Sequence, residues 1–176
     1  MHINKAMTAP VGRSHAGFTL IELLIVIAMI GILAALSAPF VVAAKAAANE
    51  SSAIGSLRTL TTAQYAYQSA CGSGFYAPTF AHLVTERFAG PDLDVSPKSG
   101  FAYTLGPGAA ARPGSTDCTG IASLGDYYAS AVRLATYTGR RGFATNQHGT
   151  IWQDAVGAAP AEPFLEAGSV SPLRGQ

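Results

Sequence analysis

A single carboxylate, Glu22, lies inside a long apolar run that covers residues 18–44. The run has about 27 residues and no other charged side chain, enough to cross a bilayer core of roughly 30 Å as a helix. An acidic side chain at the centre of a spanning helix costs about 2.5 to 3.5 kcal/mol, and less near an end where it reaches the interface. Glu22 therefore needs either a partner or a role.

The other residues that could do chemistry show no spacing typical of a catalytic triad, a zinc site or a paired-carboxylate site. They are His82, His148, Cys71, Cys118, Ser130, Asp92, Asp94, Asp117 and Asp126. Asp92 and Asp94 could donate oxygens to calcium, but they belong to no run of calcium ligands. The sequence therefore predicts a protein that is not an enzyme and that holds no cofactor and no metal.

Length and charge bound the class of protein. The chain has 176 residues, a formal net charge of +1 and only 12% charged residues. Such a composition offers no basic surface that would favour nucleic acid as a partner. The length fits one spanning helix followed by one modest domain.

The charges on either side of the apolar run indicate its orientation. Lys5 and Arg13 precede the run, and Lys45 is the first charge after it. The positive-inside tendency places the leader in the cytoplasm and exports everything beyond about residue 45. Cys71 and Cys118 then lie in an oxidising compartment, where we expect them to form a disulfide that joins the end of the helix to the sheet region.

Two helical patterns follow each other along the first 70 residues. The apolar run predicts a helix that Pro39 bends, because proline lacks a backbone donor and its ring opposes the carbonyl four residues earlier. Residues 45–70 then predict an amphipathic continuation, which ends at the glycines after Cys71. Its apolar face contains Ile54, Leu57, Leu60, Gln64 and either Tyr65 or Tyr67.

The remainder of the chain is broken into short pieces by Gly and Pro. We expect a short helix over residues 80–88, capped by Thr79, and strands over residues 101–105, 126–134, 142–145 and 150–153. A four-residue loop suited to a hairpin separates the last two strands. The predicted fold class is α+β, a long N-terminal helix packed on a small antiparallel sheet.

This organisation gives five segments. They are a leader (residues 1–17), a membrane or filament-core helix (18–44), its amphipathic continuation (45–70), a small sheet domain (71–154) and a tail (155–176) that wraps the surface or is disordered.

Gly17, residues 18–22 and residues 23–39 together resemble the processing site and N-terminal helix of type IV pilins and type II secretion pseudopilins. The resemblance implies that a membrane peptidase cuts after Gly17 and methylates Phe18. It also implies that Glu22 acts in assembly and that Pro39 is the proline inside the helix. Residues 71–76 and 142–152 are more weakly similar to pieces of the globular domains in that family.

The resemblance implies a structural subunit of a filament. Its implied partners are copies of itself, a prepilin peptidase, the membrane, and an inner-membrane assembly platform with an ATPase. The precursor would span the inner membrane once, with its C-terminal domain outside the cytoplasm, before it enters a surface pilus or a periplasmic pseudopilus. Glu22 would pair with the new α-amino group of Phe18 on an adjacent subunit, which is largely charged at neutral pH.

Several alternatives share these features. The chain could be a pseudopilin, a minor pilin, or an unprocessed single-pass anchor, and an ordinary secretory signal would account for the apolar run alone. Glu22 favours a subunit of the filament body over a tip subunit. Met7 is an alternative start to Met1, since a leader of 17 residues is long for many pilins.

Overall fold

The computed structural model describes residues 17–174, which divide into two compact units between Pro39 and Phe40. One helix, α1 (Leu20–Ala70), runs through the boundary. Of the predicted leader, only Gly17 is among the described residues. Lys5 and Arg13, on which the predicted orientation depends, lie outside them.

In the first unit the described residues from Leu20 onward are helical and exposed. Their Leu, Ile and Ala side chains favour a helix, and Pro39 is accommodated inside α1. The bend expected at Pro39 stays a prediction.

In the second unit α1 buries one face against the sheet domain. The buried positions recur at steps of three and four, as expected for an amphipathic helix. They include Ala46, Glu50, Ala53, Leu57, Leu60, Gln64 and Tyr67. The predicted face is confirmed, with Tyr67 rather than Tyr65 in the core.

A second helix, α2 (Phe80–Thr85), follows, with the Thr79 hydroxyl accepting a hydrogen bond from His82 N. It ends three residues earlier than the predicted residue 88. Arg87 has a left-handed backbone (φ 63°), and Phe88 N donates to Leu83 O at 2.9 Å, which closes the helix in a C-terminal cap. A short 3-10 turn (Pro91–Leu93) comes next.

The main sheet has five antiparallel strands in the order β1-β4-β5-β6-β7. They are β1 (Phe101–Pro107), β4 (Tyr127–Arg133), β5 (Gly142–Asn146), β6 (Trp152–Asp154) and β7 (Val170–Pro172). The separate hairpin pairs β2 (Pro113–Thr116) with β3 (Ala122–Leu124). The α+β fold class is confirmed.

Four of these strands match predicted ones with shifted ends, whereas β2, β3 and β7 were not predicted. The three are three or four residues long, and none alternates buried and exposed side chains over the length that a sequence pattern needs. β7 comes from the segment expected to be a tail and pairs with β6 at the edge of the sheet.

Candidate functional site

The N-terminal segment places the predicted processing residues in an open position. Gly17, Phe18 and Thr19 precede α1 and are not helical. A Cβ added at Gly17 would meet no atom within 4 Å, and Phe18 is 82% exposed. Within the described residues, nothing covers the peptide bond between Gly17 and Phe18.

Thr19 caps the start of α1, a role that was not predicted from the sequence. Its hydroxyl accepts a hydrogen bond from Glu22 N at 3.2 Å, and its carbonyl accepts one from Leu23 N at 3.3 Å. The signal was present in the sequence, because a Thr followed three residues later by a Glu is the pattern of a capping box. A carboxylate in the first turn also stabilises the helix dipole, so Glu22 has a local role as well as any role in assembly.

The first part of α1 presents a continuous apolar surface. The large hydrophobic side chains from Phe18, just before α1, to Val42 are between 45% and 83% exposed. Among the described residues α1 is the one helix long and apolar enough to cross a membrane, with a mean hydropathy of 2.7 over its best 18-residue window. An apolar surface of this extent needs lipid or other protein to cover it, and it suggests membrane anchoring.

Glu50 fixes the second part of α1 to the loop before β5. Its Oε1 accepts hydrogen bonds from Arg140 N at 2.6 Å and Arg141 N at 3.1 Å, and its Oε2 lies 2.7 Å from Arg141 Nη2. Burial alone would raise the pKa of Glu50, but these donors outweigh it and hold the pKa below its usual range. The adjacent Asn49 donates to Thr138 O at 2.9 Å.

A basic pair beside a strand, such as Arg140–Arg141, is more often a solvated turn than a binding site. The structure instead pairs Arg141 with a buried glutamate on α1, and also with Gln153 Oε1 at 2.6 Å. The Arg141 guanidinium lies 5.5 Å from the centre of the Phe143 ring. Arg140 keeps an exposed side chain.

A disulfide joins Cys71, directly after α1, to Cys118 in the loop between β2 and β3, with 4.9 Å between their Cα atoms. This is the pair that the sequence analysis predicted. The backbone reinforces it, because Cys118 N donates to Cys71 O at 3.0 Å. The end of the long helix is thereby connected to the small hairpin.

Asp117 builds a buried polar network next to the disulfide. Its Oδ2 accepts a hydrogen bond from the Tyr67 hydroxyl at 2.7 Å and lies 2.6 Å from His82 Nε2, while its Oδ1 accepts hydrogen bonds from Thr119 N and Ile121 N. Burial opposes ionisation, yet these donors hold the pKa of Asp117 below its usual range. Burial and the neighbouring carboxylate raise the pKa of Tyr67. The network stabilises the connection between α1, α2 and the disulfide loop.

The residues considered for metal binding do not converge. Within residues 17–174 no group of three or more His, Cys, Asp or Glu side chains is arranged to hold a metal ion. Asp92, considered as a calcium ligand, forms an ion pair with Lys98 at 2.9 Å.

Comparison with known proteins identifies the N-terminal segment. Residues 12–38 match the model of the prokaryotic N-terminal methylation motif, which is the signature of type IV pilins and pseudopilins. The match includes Gly17, Phe18 and Glu22 and ends beside Pro39. No curated protein and no solved structure matches the chain.

Proposed function

We propose that this chain is the precursor of a structural subunit of a type IV pilus-like filament, processed after Gly17 and assembled through its N-terminal helix. The observation that carries the proposal is the methylation motif over residues 12–38. In general terms this motif implies processing by a prepilin peptidase and assembly into a filament.

Each segment has a place in this proposal. Residues 1–17 are the leader that is removed, and residues 18–44 cross the membrane and later pack in the filament core. Residues 45–70 attach the helix to the domain of residues 71–154, and residues 155–176 complete that domain through β7.

Cleavage requires an accessible backbone at the scissile bond. Gly17 has no Cβ to obstruct a peptidase, and the exposed Phe18 follows it in a non-helical segment. Cleavage creates a new α-amino group at Phe18, which by resemblance to pilins is then methylated.

The Glu22 carboxylate would neutralise the positive charge of this amine. The Glu22 carboxylate is exposed and forms no hydrogen bond or ion pair within the described residues. An α-amino group has an unperturbed pKa of about 7.7 to 8.0 and is therefore largely positive at neutral pH. In the filament core the Glu22 carboxylate of one subunit would pair with the Phe18 amine of its neighbour, which offsets the cost of burying either charge.

The apolar surface of α1 can be covered both in the membrane and in the filament. In the bilayer, lipid covers the side chains from Phe18 to Val42, and in the filament the helices of other subunits cover them instead. By resemblance to pilins, an inner-membrane platform and an ATPase would move the subunit from the inner membrane to a pilus. A type II secretion pseudopilin is the alternative, because it carries the same motif.

Intact-mass spectrometry of the assembled protein tests this proposal. The mature chain should begin at Phe18 and carry one methyl group, and Gly17→Val should block cleavage. Gly31→Val is the matched control, because Gly31 also lies in an open position but is far from the scissile bond. Assembled material that begins at Met1 or Met7, or normal processing of Gly17→Val, would contradict the proposal. Long surface fibres that contain this chain would favour a pilin over a pseudopilin.

A further inference from the structure

One end of the sheet domain combines exposed apolar side chains with a surplus of positive charge. The loops of residues 134–141 and 155–157 lie beside the part of α1 that opens the second unit. Asn49 and Glu50 bind the first loop through Thr138, Arg140 and Arg141. We call the surface formed by Leu134, Tyr137, Arg140 and Val156 the basal patch.

The apolar members of the basal patch are all exposed. Tyr137 is 68% exposed, Val156 is 64% exposed and Leu134 is 57% exposed. Arg133 holds the two loops together, because its guanidinium donates to Gly139 O at 3.3 Å and to Val156 O at 2.7 Å. The two loops that carry the exposed side chains are therefore fixed to each other.

The charges around the basal patch are mainly positive. Three basic and two acidic side chains lie there, a local surplus of +1. They are Arg133, Arg140 and Arg141 against Glu50 and Asp154. Both carboxylates are buried, whereas Arg140 is exposed, so the surface that other molecules meet is cationic.

The patch is bound to α1 a short distance along the chain from the end of the apolar run. The apolar run ends at Ala44, and Glu50 is six residues further along α1, about 9 Å at 1.5 Å per residue. Arg140 and Arg141 line a cavity of about 490 Å³ together with Ala43, which belongs to the last turn of the run. The headgroup layer is roughly 5 to 7 Å thick and the Debye length about 8 Å, so charges about 9 Å beyond the end of the apolar run are within electrostatic range of the headgroups.

We propose that the basal patch docks onto anionic lipid headgroups while the subunit is anchored in the membrane. Tyrosine is enriched at membrane interfaces, where its ring and hydroxyl meet apolar and polar surroundings, and each Lys or Arg near an anionic surface contributes about a fivefold preference for binding. The lipid surface fits all three features of the patch: exposed apolar side chains, an aromatic residue and a positive surplus beside an apolar helix. This inference rests on the membrane anchoring of the proposed function.

Full-length protein in nanodiscs tests the docking. The nanodiscs hold one copy each, contain phosphatidylcholine with or without phosphatidylglycerol, and carry a trace of gadolinium-chelating lipid. Paramagnetic relaxation of amide signals then reports how close residues 134–141 and 155–157 come to the headgroups. We expect faster relaxation of these amides in the anionic nanodiscs, and added salt should reduce the difference.

Two variants and one control make the test specific. Arg140→Gln keeps the backbone bond to Glu50 and should lower the ratio of docked to undocked domain about fivefold in anionic nanodiscs, with no change in neutral ones. Tyr137→Ser should weaken docking in both. Arg112→Gln is the control and should have no effect. Arg112 lies two residues before Gly114, which packs against Phe75, beyond the C-terminal end of α1 and far from the basal patch.

Three results would overturn the inference. They are equal relaxation in neutral and anionic nanodiscs, equal behaviour of Arg140→Gln and Arg112→Gln, and relaxation of the patch that changes only when several copies share a nanodisc. The last result would assign the patch to contacts between copies. A chain that does not enter nanodiscs at all would instead refute the membrane anchor, and this inference with it.

Discussion

Breaking the ion pair between Glu50 and Arg141 is the strongest test of how α1 is fixed to the sheet domain. Glu50→Gln keeps the shape of the side chain but removes the charge that two backbone N–H groups and one guanidinium bind. Breaking a buried pair costs about 3 to 5 kcal/mol. Because the Arg141 side chain is 37% exposed and water can solvate it, we expect a loss of about 2 to 3 kcal/mol.

Chemical denaturation of the mature chain in detergent, followed by Trp152 fluorescence, measures this loss. The control is Asp92→Asn, which breaks the pair with Lys98. The Asp92 side chain is 74% exposed, so the loss of its charge should change the free energy of unfolding far less than Glu50→Gln does. The two variants compare the same kind of ion pair in buried and exposed positions.

The pH dependence of the free energy of unfolding provides a second test of the Glu50 pair. The folded-state pKa of Glu50 is lowered, so its stabilisation is complete above the unfolded pKa of about 4.3 and is lost as the pH falls through the folded pKa. The difference between wild type and Glu50→Gln should therefore be largest near neutral pH and shrink in acid. Equal unfolding of Glu50→Gln and Asp92→Asn, or a difference that acid leaves unchanged, would refute the role assigned to Glu50.

Three further predictions concern the ends of α1. Replacing Cys71 and Cys118 by serine should lower the free energy of unfolding by about 4 kcal/mol, because the disulfide closes a loop with a sequence separation of 47; an unchanged thermal midpoint would contradict this. Tyr67→Phe should cost about 1.5 to 3 kcal/mol in denaturant, since it removes a hydrogen bond to the ionised Asp117. Thr19→Ala should speed amide hydrogen exchange in the first turn, because a lost cap costs about 1 kcal/mol, and equal exchange would argue against the cap.

The local patterns of the sequence were sufficient for the long helix and its buried face. Leu57, Leu60 and Gln64 recur at helical spacing, and the structure buries all three. Such a prediction works because the period of the hydrophobic pattern depends only on neighbours within two turns. The disulfide was predictable for another reason: the chain has two cysteines, and the sequence predicts that both lie outside the cytoplasm, where oxidation is favoured.

Polar contacts between residues far apart in the chain could not be predicted from the sequence. Glu50 and Arg141 are 91 residues apart, and each is common on a solvated surface. One signal was present, because Glu50 occupies the same helical face as Leu57 and Leu60. The network of Asp117 depends on three chain segments meeting, which no spacing along the sequence reveals.

The quantity of Glu22→Ala in the sheared surface fraction and in the membrane fraction tests the filament proposal most directly. If Glu22 pairs with the Phe18 amine of a neighbouring subunit, the substitution leaves that amine without a partner in the filament core, a loss of about 3 to 5 kcal/mol. Membrane insertion should persist, because removing a carboxylate from an apolar helix makes insertion easier. We therefore predict a variant that is cleaved and accumulates in the inner membrane while surface filaments disappear. Equal amounts of variant and wild type in the sheared fraction would contradict the pairing of Glu22 with Phe18 between subunits.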